Sequence, residues 1–386
     1  MFKSGALMEL QQQIYGCLMG IAVGDAVGLP LENLSKSRIN KWLNDGPIKH
    51  RFILRTGLVS DDTEHSCLVS QSLIQSKQDP ERFGRDLAKR LKWWMAGLPA
   101  GTGRATAKAC LKLWLGWNYQ NAGIWSAGNG PPMRAPIIGV AVKDWQQAVK
   151  LTKISSRITH SDPKATYGAL AIAAVAHQVT YDPSNRPLDP DNVLNVCQQW
   201  IQAVFKDEPV SKEGPVSKDK LVSKEGPAAE LISLIALAVE SVKRGETTRE
   251  FAAANGMGKG VSGYTYHTVP AALHSCMRYP DNFRTAVEEL IRCGGDVDST
   301  AAIAGGILGA SLGATNIPKD WSDGLIEWPR TKRWMKRLAD VLAQSSKGEA
   351  LSTKMPTINP LFQLIRNIVF LFVVLLHALR RLLPPY

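Results

Sequence analysis

Two acidic knots carry the chemistry that this sequence can be expected to do. One is Cys293-Gly294-Gly295-Asp296-Val297-Asp298-Ser299-Thr300. Read as an extended segment, it points Asp296 and Asp298 the same way, while its glycines let other backbone come close. The other, Ser60-Asp61-Asp62-Thr63-Glu64, lies more than two hundred residues upstream, so only the fold can bring the two together. Glu32 completes a set with Asp61, Asp62, Asp296 and Asp298, and Ser60, Ser299 and Thr300 place hydroxyls beside it. Clustered carboxylates repel unless protons or cations intervene, and an all-oxygen donor set selects Mg²⁺, Mn²⁺ or Ca²⁺ over zinc. Two such ions about 4 Å apart suit this many acids. Metal-assisted hydrolysis and phosphoryl chemistry fit equally well, and no P-loop, G-x-S-x-G or H-E-x-x-H pattern chooses between them.

The elements that must position these acids read as helices. Over 11–28 the pattern is helical, with Gly16, Gly20, Gly24 and Gly28 recurring along one face and Asp25 and Glu32 near the exit. Each glycine costs a helix roughly 1 kcal/mol relative to alanine, so the row predicts close helix contact. Gly305, Gly309 and Gly313 form a second row behind the second knot, and the two glycine faces are expected to pack beside the site. A helix is expected over 60–75, where Asp61 and Glu64 are spaced like a capping box. On its own that pattern describes a capped helix and nothing more. Further helical patterns cover 145–156, 167–177, 228–244, 269–277 and 282–291, and period-two alternation is nearly absent, so the fold is expected to be all-α. Gly128-Asn129-Gly130-Pro131-Pro132-Met133-Arg134 reads as a loop, and Trp93, Trp94, Trp114, Trp117 and Trp125 as core or cleft wall. His160 precedes a helix, a position where a histidine is usually a cap or surface residue.

Composition narrows the class. With 386 residues, 45% hydrophobic and 21% charged, the chain can bury a sizeable core. Its six cysteines form no C-x-x-C pair and sit among apolar residues, which predicts reduced thiols and a cytoplasmic protein. The first residues match a secretory signal poorly, so no export is expected. Of the net charge of +12, a surplus of eight lies in 330–386, where ten Lys or Arg face only Asp340 and Glu349. No sequence-specific nucleic-acid binding is expected from so local an excess. A hexad related to Val210-Ser211-Lys212-Glu213-Gly214-Pro215 repeats within 206–227 and reads as a disordered insertion. A polar linker over 344–360 then leads to an apolar helix over 361–383. It is short for a span of about 20 residues, which leaves a short anchor, an interfacial helix on anionic lipid, or a docking helix. Basic residues on both sides of the apolar block favour membrane contact, with the body tethered on the cytoplasmic face.

Gly24-Asp25-Ala26-Val27-Gly28 with Glu32, Ser60-Asp61-Asp62-Thr63, Gly128-Asn129-Gly130 with Met133-Arg134, Thr159-His160 and Gly294-Gly295-Asp296-Val297-Asp298-Ser299 follow one another in order. Together they resemble the ADP-ribosylglycohydrolase family, which includes the dinitrogenase reductase-activating glycohydrolases, over roughly 11–313. The resemblance implies a compact helical bundle forming a single domain over 1–343, with two divalent cations, Mg²⁺ or Mn²⁺. It implies cleavage of a glycosidic bond at the anomeric carbon of ADP-ribose in an ADP-ribosylated protein or small conjugate. By position, Ser60, Asp61, Asp62, Asp296, Asp298 and Ser299 would hold the metals. Glu32 and Asp62 would be catalytic, Glu32 as base or gate for the attacking water. Gly128, Asn129, Gly130 and Met133 would shape the substrate pocket, with His160 beside it. Pro131-Pro132 departs from the small residues usual after the G-N-G turn and removes two amide donors from a phosphate loop. The alternatives are an inactive ADP-ribose-binding or structural protein, and a metal-dependent phosphoesterase.

Overall fold

Glycine spacing decides how the first helix is used. The computed structural model describes residues 2–44, 46–52, 55–182, 187–206 and 226–381, and its regular structure is helical. The first group is α1 (Phe2–Gly28), α2 (Lys36–Leu43), α3 (Asp61–Ser76), α4 (Pro80–Ala96) and α5 (Arg104–Trp114). The middle group is α6 (Gly130–Met133), α7 (Pro136–Ala141), α8 (Trp145–Thr159), α9 (Pro163–Tyr181) and α10 (Pro190–Lys206). Then follow α11 (Pro227–Lys243), α12 (Thr248–Ala254), α13 (Thr265–Arg278), α14 (Phe283–Cys293) and α15 (Val297–Leu312). Last come α16 (Lys319–Gly324), α17 (Lys332–Ser346) and α18 (Pro360–Arg380). Only isolated bridges, among them Leu34 with Gly295 and Val261 with Gly295, break this pattern among the described residues. The all-α expectation holds. The hexad insertion lies almost wholly outside the described residues.

α1 and α15 run antiparallel and touch backbone to backbone. A methyl group added at Gly16, Gly20, Gly24 or Gly28 would lie closer than 3.0 Å to Gly309, Gly305, Ala301 or Asp298, respectively. The pairing brings the end of α1 against the start of α15. α15, α9 and α1 from Gln13 onward are buried nearly all round, which is why those stretches lack a polar face. The turn into α15 is equally tight: Gly294 and Gly295 have φ of +78° and +90°, a region that excludes side chains with little penalty only for glycine. Gly295 N–H donates to Leu34 O at 2.9 Å, and Asp296 N–H to Val261 O at 2.7 Å.

Several local expectations change in context. The second knot is extended only to Asp296, because α15 begins at Val297 and carries Asp298 in its first turn. α3 is capped by Ser60 alone. Glu64 instead turns inward and pairs with Arg330 at 2.6 Å, both side chains being buried. The G-N-G loop winds into one helical turn, α6, because Pro131 occupies a position whose N–H is unneeded there. Of the five tryptophans only Trp94 is buried, and Trp93 is 60% exposed and Trp125 54% exposed. Lysines cover part of the exposed surface: Lys92 Nζ lies 4.3 Å from the Trp114 ring and Lys112 Nζ 4.6 Å from that of Trp117.

The C-terminal segment is built into the body. α17 continues to Ser346, and the stretch after it is pinned where Gln71 Nε2 donates to Pro356 O at 2.7 Å. α18 turns a mixed seam inward, Gln363, Arg366, Asn367, Phe370, Val373 and His377. Arg366 Nη2 donates to Glu327 Oε2 at 2.7 Å and to Val59 O at 2.6 Å, and Asn367 Nδ2 to Gly97 O at 2.7 Å.

Two stability outcomes follow from these contacts. Gly20→Ala, which in an isolated helix gains about 1 kcal/mol, is expected here to cost about 1–3 kcal/mol through overpacking. Arg366→Ala leaves Glu327 buried and unpaired and is expected to cost about 3–5 kcal/mol. Urea unfolding of each variant measures both, and a gain for Gly20→Ala would contradict the close packing.

Candidate active site

Carboxylates converge where α1 ends and where α3 and α15 begin. The two helix starts offer the positive ends of their dipoles and unsatisfied amides, which is where acids are best tolerated. Asp61 and Asp62 occupy the first turn of α3, Asp298 that of α15, and Asp296 its N-cap. Asp25, from the last turn of α1, accepts from Ser60 N–H at 2.8 Å and from the Thr63 hydroxyl at 2.6 Å, tying α1 to α3. Ser60 and Ser299 both donate to Asp62 Oδ2, at 3.1 and 3.2 Å.

Two sets of acids have oxygens within 4.8 Å of one another: Asp25, Asp62 and Asp298, and Glu32, Asp296 and Asp298. Asp298 belongs to both. The Oδ1 atoms of Asp62 and Asp298 are buried without a hydrogen-bond partner. Oxygens in that position are costly unless a proton or cation meets them, so the donor set fits hard divalent ions.

The electrostatics agree. Burial pushes the Asp25 carboxyl up to about 6, outweighing its hydrogen bonds from Thr63 and Ser60. Burial, then Asp296, raises Glu32 to about 7, with Arg381 and Asn33 pulling the other way. Asp61, Asp62 and Asp298 lie well above the usual carboxylate range, through burial first and neighbouring acids second.

Above the acids opens a cavity of about 400 Å³. Glu32, Ser60, Asp61, Asp296, Asp298 and Ser299 line its acidic side, and Gly128, Asn129, Gly130, Met133 and His160 another. Asp62 lies beneath this lining. The Asn129 amide donates to Asp296 Oδ2 at 2.9 Å and to Thr268 Oγ1 at 3.1 Å, joining the two sides. His160 is buried and its basicity falls to about 3, through burial and the nearby Arg134, so it is neutral. Arg134 Nη2 donates to Thr159 Oγ1 at 2.8 Å, and that hydroxyl lies 2.8 Å from His160 Nδ1. The opposite, Nε2–Cε1 edge of the ring packs against Gly128 and Gly130, where an added methyl group would meet it at 3.2 and 2.8 Å.

The sequence profile of the ADP-ribosylglycohydrolase family matches residues 6–351. The chain belongs to this family. ADP-ribosylarginine hydrolase Tri1 of Serratia proteamaculans is 24% identical over 84% of this chain and 78% of its own length. ADP-ribosylhydrolase ARH3 of Gallus gallus is 24% identical over 85% of this chain and 93% of its own. A solved ADP-ribosylglycohydrolase-related protein complex shares the fold, with a TM-score of 0.60 at 23% identity, covering 88% of this chain and 99% of that one.

Every site residue expected from the sequence of this ADP-ribosylglycohydrolase reaches the acid cluster or its cavity. Asp61 lines the cavity but falls outside both close acid sets. Sequence reasoning passed over Asp25 as a cluster member, although it directly follows Gly24, which packs against Ala301 of α15. It also missed α18, whose Phe370 and Val374 line the cavity and whose following Arg381 donates to Glu32 O at 3.2 Å. Nothing local to the tail signals that reach.

A pH dependence follows for the metal-free protein. The raised acids bind protons more tightly folded than unfolded, so their contribution to stability falls as pH rises from the ordinary 3.8 of Asp25 through about 7 for Glu32. Neutral buried histidines act in the opposite sense, so the informative contrast is with Asp298→Asn. With EDTA present, the thermal midpoint of the unmodified chain is expected to fall relative to that variant as pH rises through this window. Added Mg²⁺ or Mn²⁺ is expected to reverse the loss, most strongly at the upper end.

Proposed function

We propose that this chain is a metal-dependent ADP-ribosyl hydrolase, with two divalent cations, Mg²⁺ or Mn²⁺, that splits the bond at the anomeric carbon of ADP-ribose. The observation that carries the reading is Asp298, shared by two close acid sets and presenting a partnerless buried oxygen beneath a cavity. Asp25, Asp62 and Asp298 would hold one cation and Glu32, Asp296 and Asp298 the other, with the Ser60 and Ser299 hydroxyls and Asp61 beside them. When bound, such ions supply positive charge that acidifies water and orients ribose hydroxyls.

The chain's own groups account for the rest. Without metal, burial and the Asp296 charge hold Glu32 up at about 7; a bound cation would favour its ionised form, the form that a base needs. Asn33 Nδ2 holds its Oε1 at 2.9 Å, which leaves Oε2 to take the proton as a water oxygen bonds to the anomeric carbon. The glycosidic bond breaks in the same event, and Glu32 can return the proton to the departing nitrogen or oxygen, so the proton inventory closes. The neutral His160 imidazole and the backbone of Gly128 and Gly130, which line the cavity together, suit ribose or phosphate oxygens. For the diphosphate, Arg104 stands at the cavity and at the start of α5, whose first turn has no acid and whose N-cap Gly103 has no capping side chain. That arrangement offsets the amide donors lost at Pro131 and Pro132.

The substrate class is an ADP-ribosylated protein side chain or a small conjugate, in line with the relative named as an ADP-ribosylarginine hydrolase. The deciding assay follows release from ADP-ribosylated arginine and serine peptides, with Mg²⁺ or Mn²⁺ and again with EDTA. Metal-dependent release of ADP-ribose is expected, with Glu32→Gln lowering kcat by about 10²–10⁴ and Asp298→Asn abolishing turnover in a folded protein. Phosphate as the product, or undiminished turnover in EDTA, would overturn the reading.

A further inference from the structure

α18 is inverted relative to an ordinary surface helix. Its polar residues Gln363, Arg366, Asn367 and His377 are buried, while Ile365, Ile368, Val369, Phe372, Leu376 and Leu379 face outward. Phe372 is 70% exposed and Leu379 60%. The apolar surface continues past the helix, through Trp328, whose ring lies 5.3 Å from that of Phe362, and through exposed Leu98 beside the Gly97–Asn367 contact.

The C-terminal end of the same helix borders a second cleft, of about 440 Å³. Lys49, Arg51, Arg55 and Arg380 line it, and no carboxylate does among the described residues. The Arg51 guanidinium lies 5.1 Å from the Trp42 ring. From Ala350 to Tyr386 the sequence contains no acid at all.

We propose that α18 lies in the plane of a membrane containing anionic lipid, with its apolar face in the acyl boundary and a lipid phosphate in the cleft beside Lys49, Arg55 and Arg380. A spanning arrangement is disfavoured because it would break the buried contacts of Arg366 with Glu327, of Asn367 with Gly97 and of His377 with Pro30 O, the last at 2.9 Å. A second copy fits less well than lipid. Two α18 faces packed together would bring no Asp or Glu of their own to the basic cleft, since this segment has none. Anionic lipid supplies both the apolar phase and the counter-charge. It also sets the side: anionic lipid is concentrated in the cytoplasmic leaflet, so the body would sit on the cytoplasmic face. Because Phe370 and Val374 of α18 also line the catalytic cavity, the site would lie about one helix diameter, on the order of 10 Å, from the lipid surface.

The test is independent of the hydrolase reading, which ADP-ribose release in solution measures separately. The full chain is floated with vesicles of phosphatidylcholine alone and of phosphatidylcholine with about 30% phosphatidylglycerol, at low and physiological salt. Capture by the anionic vesicles alone is expected. Phe372→Ser with Leu376→Ser should abolish it, and Arg55→Gln with Arg380→Gln should weaken it about fivefold per charge lost. These positions are exposed and outside the catalytic cavity, so both variants should keep their circular dichroism. Equal capture by neutral vesicles, no capture by either, or a solution dimer that Phe372→Ser dissociates would each overturn the proposal.

Discussion

Backbone contact between α1 and α15 is the constraint on which the rest of the molecule depends. Because no side chain intervenes from Gly16 to Gly28, the helices lie in one register, antiparallel, with the end of one against the start of the other. Asp25 therefore meets Asp298 without any loop having to carry it there. Helices place side chains more reproducibly than loops do, and a site that must hold several like charges together needs that stiffness.

The same geometry creates an electrostatic problem that the protein alone does not solve. α3 and α15 direct positive dipole ends at the cluster, but α1 directs its negative end there, so the helix fields partly cancel. Ser60, Thr63 and Ser299 give hydrogen bonds to Asp25 and Asp62, yet Oδ1 of Asp62 and Oδ1 of Asp298 receive none. The Arg381 guanidinium reaches only the edge of the cluster, near Glu32. Raised proton affinities are the protein's answer without metal, and the same partnerless oxygens are what a hard cation would use.

How much of this was legible in the sequence depended on whether the deciding interaction was periodic or remote. The glycine rows are periodic, and they predicted the helix pair and its place beside the acids. The residues that line the cavity opposite the acids stand in recognisable local strings, which is why the sequence pointed to them. Glu64 was misread because its spacing from Asp61 suits a capping box, whereas its actual partner, Arg330, is 266 positions away. Trp93 and Trp114 were misplaced for a related reason: residue type predicts burial, but of the tryptophans on α4 and α5 only Trp94 turns inward, and Lys92 covers the Trp114 ring. Asp25 was visible only as one acid among several, since its importance comes from α3 amides that it caps across the fold.

The tail posed the same difficulty in a sharper form. Its apolar residues dominate its sequence, so it reads as a segment looking for lipid, and its few polar residues read as interruptions. In the fold those interruptions are the attachment. Arg330, Gln363 and Arg366 converge on Glu64 and Glu327, and the two arginines hold Glu64 below its ordinary proton affinity although burial opposes its charge. Glu64 is one helical turn from Asp61, whose own carboxyl feels its charge. The segment beyond the family match is therefore coupled to the acid cluster through α3 and to the cavity through Phe370 and Val374. A helix fixed in that way has only its outer face left to offer, and that face is apolar from Leu361 to Leu379.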